Sequence, residues 1–330
     1  PELEGTELAV ALPAGRKHSR IPGVDSIRAT AGFQRAMLVI GAVIMAFFTV
    51  LAVFAPLIAP YGFNDDRVGT KLFGREQAPS SAHWFGTTQG GEDVLSRVVF
   101  GAQTALEVII LAVLLSIVVG VPLGLISGYL GGPLDRILVL ITDALFAFPS
   151  LLLAIIVNVA IAGGTSSKLG GILAAAISIT VVYVPQYFRV VRNATVAARE
   201  EPYVEAARAI GAPARVVMTR YIFGNVVQTV PVIATLNAGD AILTLAGLGF
   251  LGYGIEPSAG AEWGRDLSVA VSEVSNNIWW TAVYPGVAIA LIVVGVTLVG
   301  ESLNDVLNPL LRTTKLSQVE LPARTEEGAQ

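Results

Sequence analysis

The chain has 330 residues, of which 54% are hydrophobic and 14% charged, and its mean hydropathy is +0.69. A soluble globular domain carries about 25% charged residues, so the deficit points to lipid as the solvent, while a formal net charge of -4 excludes the basic footprint of a nucleic-acid binder. There is no cysteine, which excludes disulfides, zinc–thiolate sites and iron–sulfur ligation, and the only histidines, His18 and His83, lie far apart in polar stretches, so no metal site is expected.

The sequence opens on Pro1 rather than Met, which reads as a processed or trimmed start. Residues 1–35 are polar and are expected to lie at the surface as an N-terminal segment. A spanning helix needs about 20 mostly apolar residues, and six stretches meet that condition. Ala36–Ile58 carries no charge and is too long for the apolar part of a cleaved leader, so it reads as a permanent first span. Val108–Leu134 is uncharged throughout. Ile137–Ala162 is interrupted only by Asp143. Leu169–Phe188 is uncharged, Val226–Leu251 contains only Asp240, and Ile278–Gly300 is uncharged. Glycine and proline inside these runs are tolerated by membrane helices. Residues 313–330 form a polar tail.

Two connecting segments are long. Residues 59–107 hold Trp84, Phe85 and an amphipathic stretch, Val94–Phe100, expected to lie along the outer interface; residues 252–277 form the second. Trp263, Trp279 and Trp280 read as interfacial anchors. With both termini inside, fifteen of the 21 Lys and Arg residues fall on the cytoplasmic side, the arrangement that the positive-inside rule favours.

The segment between spans four and five, residues 189–225, carries six arginines and a helix signature. Pro202 suits a first helical position; Tyr203, Ala207 and Ile210 recur at helical spacing and predict one face; Gly211 suits the residue past the end, with Pro213 close behind. A short stopped helix over 202–210 is therefore expected, followed by a second helix from about Pro213 that leads into span five. Small side chains at Ala206, Ala207 and Ala209 would let a partner's backbone approach closely; on chemistry alone a solvated connecting helix is an equal reading.

Glu205-Ala206-Ala207, then Gly211, Ile222 and Asn225, resemble the EAA loop of ABC importer permeases. Around it, the chain resembles the C-type subunit of the dipeptide/oligopeptide/nickel permease family over roughly residues 36–312. Phe85-Gly86-Thr87 and Asp93–Arg97 with Gly101-Ala102 resemble its motif before span two. Asp143-Ala144 with Phe148-Pro149-Ser150 resembles its span-three motif. Gly247–Gly252 with Trp263-Gly264 resembles its span-five exit, and Asn308–Arg312 its C-terminal end. The sequence departs from the family at Phe223-Gly224, where Leu-Pro is usual, at Leu245, where an acid is common, and at Glu92, where an arginine stands. The resemblance implies an all-α integral membrane fold of the type I ABC importer permease class, with Glu205, Ala206, Ala207 and Gly211 as the core of a coupling helix. It implies a homologous second permease, two cytoplasmic ATPases that hold the ATP and Mg²⁺, an extracytoplasmic substrate-binding protein, and a multi-pass place in the lipid of the bacterial inner membrane. Cargo on this reading is a di- or oligopeptide, or alternatively nickel or another ligand.

Asp143 and Asp240 are the only acids within the expected spans, and an intramembrane charge normally faces a partner, the bundle interior or a water-filled path. Asp240, Asn237, Asp143 and Asn158 are the candidate path residues, with helix pairing an open alternative for Asp143 and Asn158. Gly120, Gly124 and Gly128 recur every four residues and predict close helix packing, within the subunit or against the second permease. Gly247–Gly252 fits G-x-G-x-x-G but lacks a strand–turn–helix setting, and no Walker A sequence occurs, so the chain carries no phosphate cradle. A non-catalytic transport subunit is the leading reading. An intramembrane aspartyl protease using Asp143 and Asp240 and a self-contained secondary transporter are the other readings.

Overall fold

The computed structural model describes residues 32–162 and 167–307. Its principal helices are α1 (Gly32–Val53), α2 (Val94–Leu130), α3 (Gly132–Phe146), α4 (Ser150–Ala162), α5 (Lys168–Arg199), α6 (Pro202–Ala209), α7 (Val230–Phe250), α8 (Trp263–Val274) and α9 (Trp280–Leu307). A two-residue antiparallel ribbon, Arg67–Val68 with Lys71–Leu72, sits in the loop after α1. Residues 1–31 of the N-terminal segment, the motif at 308–312 and the C-terminal tail lie outside the described residues, as do the basic side chains there that contribute to the charge asymmetry, whereas 32–35 already belong to α1.

Among the described residues, five helical stretches are long and apolar enough to cross a membrane, and a bent helix pair makes a sixth if it counts as one span. The single span expected over 137–162 is in fact α3 and α4, which meet at 100°. Pro149 causes the break: it has no N–H to give, and it drives Phe148 away from helical backbone. Two ion pairs show how α3 then lies. Arg192 grips Asp135 through Nε and Nη2 at 2.5 and 2.7 Å, and Arg189 reaches Asp143 at 3.0 Å. The two acids are about 12 Å apart along α3 but their arginines only about 4.5 Å apart along α5, so α3 crosses α5 obliquely instead of running beside it.

Other boundaries also differ from the hydropathy reading. Helix α1 stops at Val53, and Ala55–Ile58 forms a separate turn with Pro56 in its first positions. Helix α2 begins at Val94, fourteen residues before the apolar run, so Val94–Phe100 is not a separate element but the first turns of the helix that carries span two. Asp93 sets that start: its carboxylate caps the helix by accepting from the Ser96 N–H at 2.8 Å and also meets Nδ1 of His83 at 2.9 Å. At 37 residues, α2 is roughly 55 Å long, well beyond the ~30 Å hydrocarbon thickness, so its first turns stand outside the apolar layer under the loop residues. Helix α5 likewise continues eleven residues past Phe188, because Arg189, Arg192 and Arg199 find partners at the helix end. The segment expected as a loop from 189 therefore begins only at Glu200.

The tightest seam joins α2 to α5, which run parallel. A Cβ on Gly120 would come within 2.7 Å of the Tyr187 Cβ; on Gly124, 2.7 Å from the Phe188 carbonyl; on Gly128, 2.7 Å from the Arg192 carbonyl. The stripe of three glycines, one every four residues, therefore serves packing inside the subunit. Helix α1 packs on α9 in the same way, with Gly41 against Leu298 and Gly295 against Ile44.

Candidate coupling helix and translocation path

Helix α6 is held rigidly at one end of the bundle. Pro202 occupies its first turn. Gly211, at φ +83°, stops it: the Ala212 N–H donates to the Ala207 carbonyl at 3.1 Å and the Gly211 N–H to the Arg208 carbonyl at 2.9 Å, the paired bonds of a Schellman turn. The buried side is Val204 with Ala207, not the predicted Tyr203–Ala207–Ile210 face, and Ile210 is 82% exposed. The reason is visible beneath the helix. Val204 packs into one apolar core with Val217 and Ile222, whereas the Tyr203 hydroxyl stays outside and accepts from Asn225 Nδ2 at 2.5 Å. The Arg208 guanidinium lies over the Tyr129 ring at 5.1 Å and ties α6 to the end of α2. Of the four predicted coupling residues, Glu205, Ala206 and Gly211 face outward and Ala207 faces the bundle.

From Ala214 to Phe250 the chain is one nearly continuous helical run, entered through a π turn at Val217–Ile222 and a 3₁₀ turn at Val227–Thr229. The π turn has a local cause: its i→i+5 spacing puts Val217 and Ile222, both fully buried, on the same inward side. No loop intervenes between α6 and α7 except the tight turn at Gly211–Pro213.

Asp240 and Asn237 lie on α7 and open onto two adjoining cavities. One, of about 390 Å³, is bounded by Phe146, Ser150, Tyr183, Gln186, Asp240 and Thr244; the other, of about 480 Å³, by Gln186, Asn237, Asp240 and Thr297 among apolar side chains. Thr244 donates to the Asp240 carbonyl at 2.9 Å, so Tyr183 is the donor to Thr244 at 3.1 Å. Gln186 Oε1 is buried without a hydrogen-bond partner among the described residues and Gln186 lines both cavities, which with the Asp240 carboxylate leaves them polar groups that can meet a ligand; the Tyr187 hydroxyl lies behind, against Asn237. Tyr183, Gln186, Tyr187 and Thr244 were missed in the sequence. Their signal was there: three polar side chains within five positions, around Pro185, at the end of an apolar run. The other two path candidates lie elsewhere. Asp143 is half-exposed and paired with Arg189, and Asn158 is buried on α4; neither lines the cavities beside Asp240. The two acids thus do not form a shared-proton dyad.

At the opposite end, α8 is wedged among the spans. The Trp263 side chain is 3% exposed and donates to the Val98 carbonyl at 3.0 Å; Trp280 is 7% exposed and donates to the Thr87 carbonyl at 3.1 Å. Both are core groups, which corrects their reading as interfacial anchors; Trp279, 50% exposed, remains open to that role. Glu262 caps α8, accepting from the N–H groups of Gly264 and Arg265 at 2.8 and 2.9 Å. Burial pushes its carboxyl up to about 8, against the pull of those two bonds. Gly249 leaves room for that carboxylate and Gly247 packs against Leu151, while Gly252 turns the chain at φ +86°, so the glycines of the G-x-G-x-x-G string serve packing and the turn after α7; Gly264 in turn seats directly on the Ala246 backbone.

The segment that contains the glycine seam, α6, the π turn, the Asp240 cavities and α8 is what known proteins share. Residues 120–313 match the family model described as the binding-protein-dependent transport system inner membrane component. The chain belongs to that family. A second model, the N-terminal transmembrane domain of oligopeptide transport permease C, matches residues 33–79 of this permease. The permease is 36% identical over 280 residues to a dipeptide transport system permease protein of Alkalihalophilus pseudofirmus, covering 85% of this chain and 88% of that one. It is 35% identical over 285 residues to a glutathione transport system permease protein of Escherichia coli, covering 84% and 88%, and 34% identical over 269 residues to the protein of the same description from Pectobacterium atrosepticum, covering 80% and 83%. The permease is thus a multi-pass membrane component of a transport system that works with a binding protein.

Proposed function

We propose that this permease forms half of the translocation path of an ATP-driven importer for di- or oligopeptides, with a homologous permease supplying the other half. Relatives that carry dipeptides and glutathione support the cargo class, and the polar groups free around Asp240 suit a ligand that has both an ammonium and amide groups. Asp240 and Asn237 are the path residues, with Tyr183, Gln186 and Thr244 beside them. Both termini and α6 face the cytoplasm, where two ATPase subunits bind ATP and Mg²⁺; the permease itself catalyses nothing. The positive-inside count supports this orientation.

The observation that carries the reading is the mounting of α6. Its outer side offers Glu205, Ala206 and Gly211 to a partner, while Val204, Ala207 and Arg208 fix it to the bundle. Its only onward link is the helical run that bears Asp240. A displacement of α6 by a closing ATPase pair is therefore passed to the path with little slack. Glu205→Lys tests it: membrane insertion should be normal and ATP-driven uptake lost in proteoliposomes. Uptake at the wild-type rate would remove the coupling role.

A further inference from the structure

At the end of the bundle opposite α6, the loop before α2, the start of α2, α8 and the first turns of α9 enclose a cavity of about 150 Å³. Its charged lining is Glu92, Arg97, Arg265, Asp266 and Glu273. Arg97 and Asp266 neutralise each other across 2.5 Å. Against the Arg265 cation stand Glu92, which the Thr88 hydroxyl meets, and Glu273, so the lining keeps one negative charge in surplus.

Glu273 is only 2% exposed. One of its oxygens accepts from the Gln89 N–H at 2.9 Å. The other, Oε2, has no partner among the described residues, and neither has Asp266 Oδ2. Arg265 Nε is also without a partner, so two acceptors stand against one donor. A buried acceptor left unsatisfied costs about 1–3 kcal/mol, and a native fold that keeps two such atoms in the wall of a cavity calls for a ligand that repays them.

We infer that this cavity is a docking socket for a cationic hydrogen-bond donor, the ammonium or guanidinium of a lysine or arginine presented by the substrate-binding protein. The two free acceptors and the surplus negative charge select a cation that can donate. The volume fits the head of one side chain and falls short of the roughly 300 Å³ at which small-molecule sites begin. No three His, Cys, Asp or Glu side chains converge as a metal site among the described residues, which favours a side chain over a metal ion. The family depends on a binding protein, and the socket lies on the face where that protein arrives; this last point rests on the orientation proposed above.

The test uses the assembled importer in nanodiscs and its own binding protein, with affinity measured at low and high salt and basal ATPase read alongside. Glu273→Gln removes the charge but keeps an acceptor for the Gln89 N–H. Affinity for the binding protein should fall about tenfold or more with a shallower salt dependence, while melting temperature and basal ATPase hold. A Lys→Gln or Arg→Gln scan of the binding protein should find one position whose loss is not added to that of Glu273→Gln. Unchanged affinity, fully additive losses, or a lower melting temperature without weaker docking would each overturn the socket. Docking of the wild type on the α6 face would instead overturn the orientation, and the socket with it.

Discussion

The Trp263 indole lies directly across Gly101 and donates its N–H to the Val98 carbonyl at 3.0 Å, pinning α8 to the first turns of α2. The ring also meets Phe48 edge-on, with centroids 5.8 Å apart. One side chain at the start of α8 thereby joins three segments far apart in sequence.

Trp263→Ala should cost about 3–5 kcal/mol, as for other large buried aromatics. Trp263→Phe should cost less, about 1–2 kcal/mol, since it keeps the ring and loses the hydrogen bond. Thermal unfolding of the purified permease in detergent measures both. Equal melting of wild type and Trp263→Ala would show that α8 contributes nothing to the fold.

Gly124→Leu should be destabilising by at least about 1–3 kcal/mol, because even a Cβ would press on the Phe188 carbonyl and the two helices must separate. The loss should appear in the isolated subunit, before any second permease joins. Gly224→Ala, where a Cβ meets open space, should be neutral or slightly stabilising on helix propensity. Yield and melting temperature of the two variants make the comparison.

Ala207 and Ala206 are neighbours on opposite sides of α6. Ala207→Leu should loosen the helix from the bundle, read as faster proteolysis of the 200–212 region. Ala206→Leu should leave proteolysis unchanged and weaken ATPase docking, read as lost transport-coupled hydrolysis. The reverse pattern would place the partner surface on the other face.

Glu262 makes stability depend on pH in a defined direction. Its carboxyl is raised from 4.5 to about 8 by burial, so the folded chain holds a proton that the unfolded chain releases. The stabilisation is complete below about pH 4.5 and is lost as pH rises towards 8, with a total of order a few kcal/mol. Melting temperature should decline across that window, and Glu262→Gln should flatten the decline. An identical slope in the variant would mean that Glu262 is ionised throughout.

Membrane solvent strongly constrains local sequence, which is why so much was readable. Uncharged runs of about 20 residues can only be helices in lipid, and the turn chemistry of Pro202 and Gly211 depends on backbone conformation that no distant residue needs to set. The glycine stripe of α2 likewise announced a close contact. By itself, then, the sequence determined the apolar helices, the short stopped helix ahead of α7 and the two acids, Asp143 and Asp240, that interrupt apolar runs. Only the tertiary structure decided which sides of those elements are occupied. Val204 rather than Tyr203 turns inward because the π turn brings Val217 and Ile222 beneath it. Asp143 is spent on Arg189 because Pro149 bends the third crossing, whereas Asp240 is left facing a cavity. Trp263 and Trp280 are core groups because Val98 and Thr87 offer them carbonyls. Each of these depends on a partner tens to hundreds of residues away, and hydrophobic periodicity carries no information about which partner arrives.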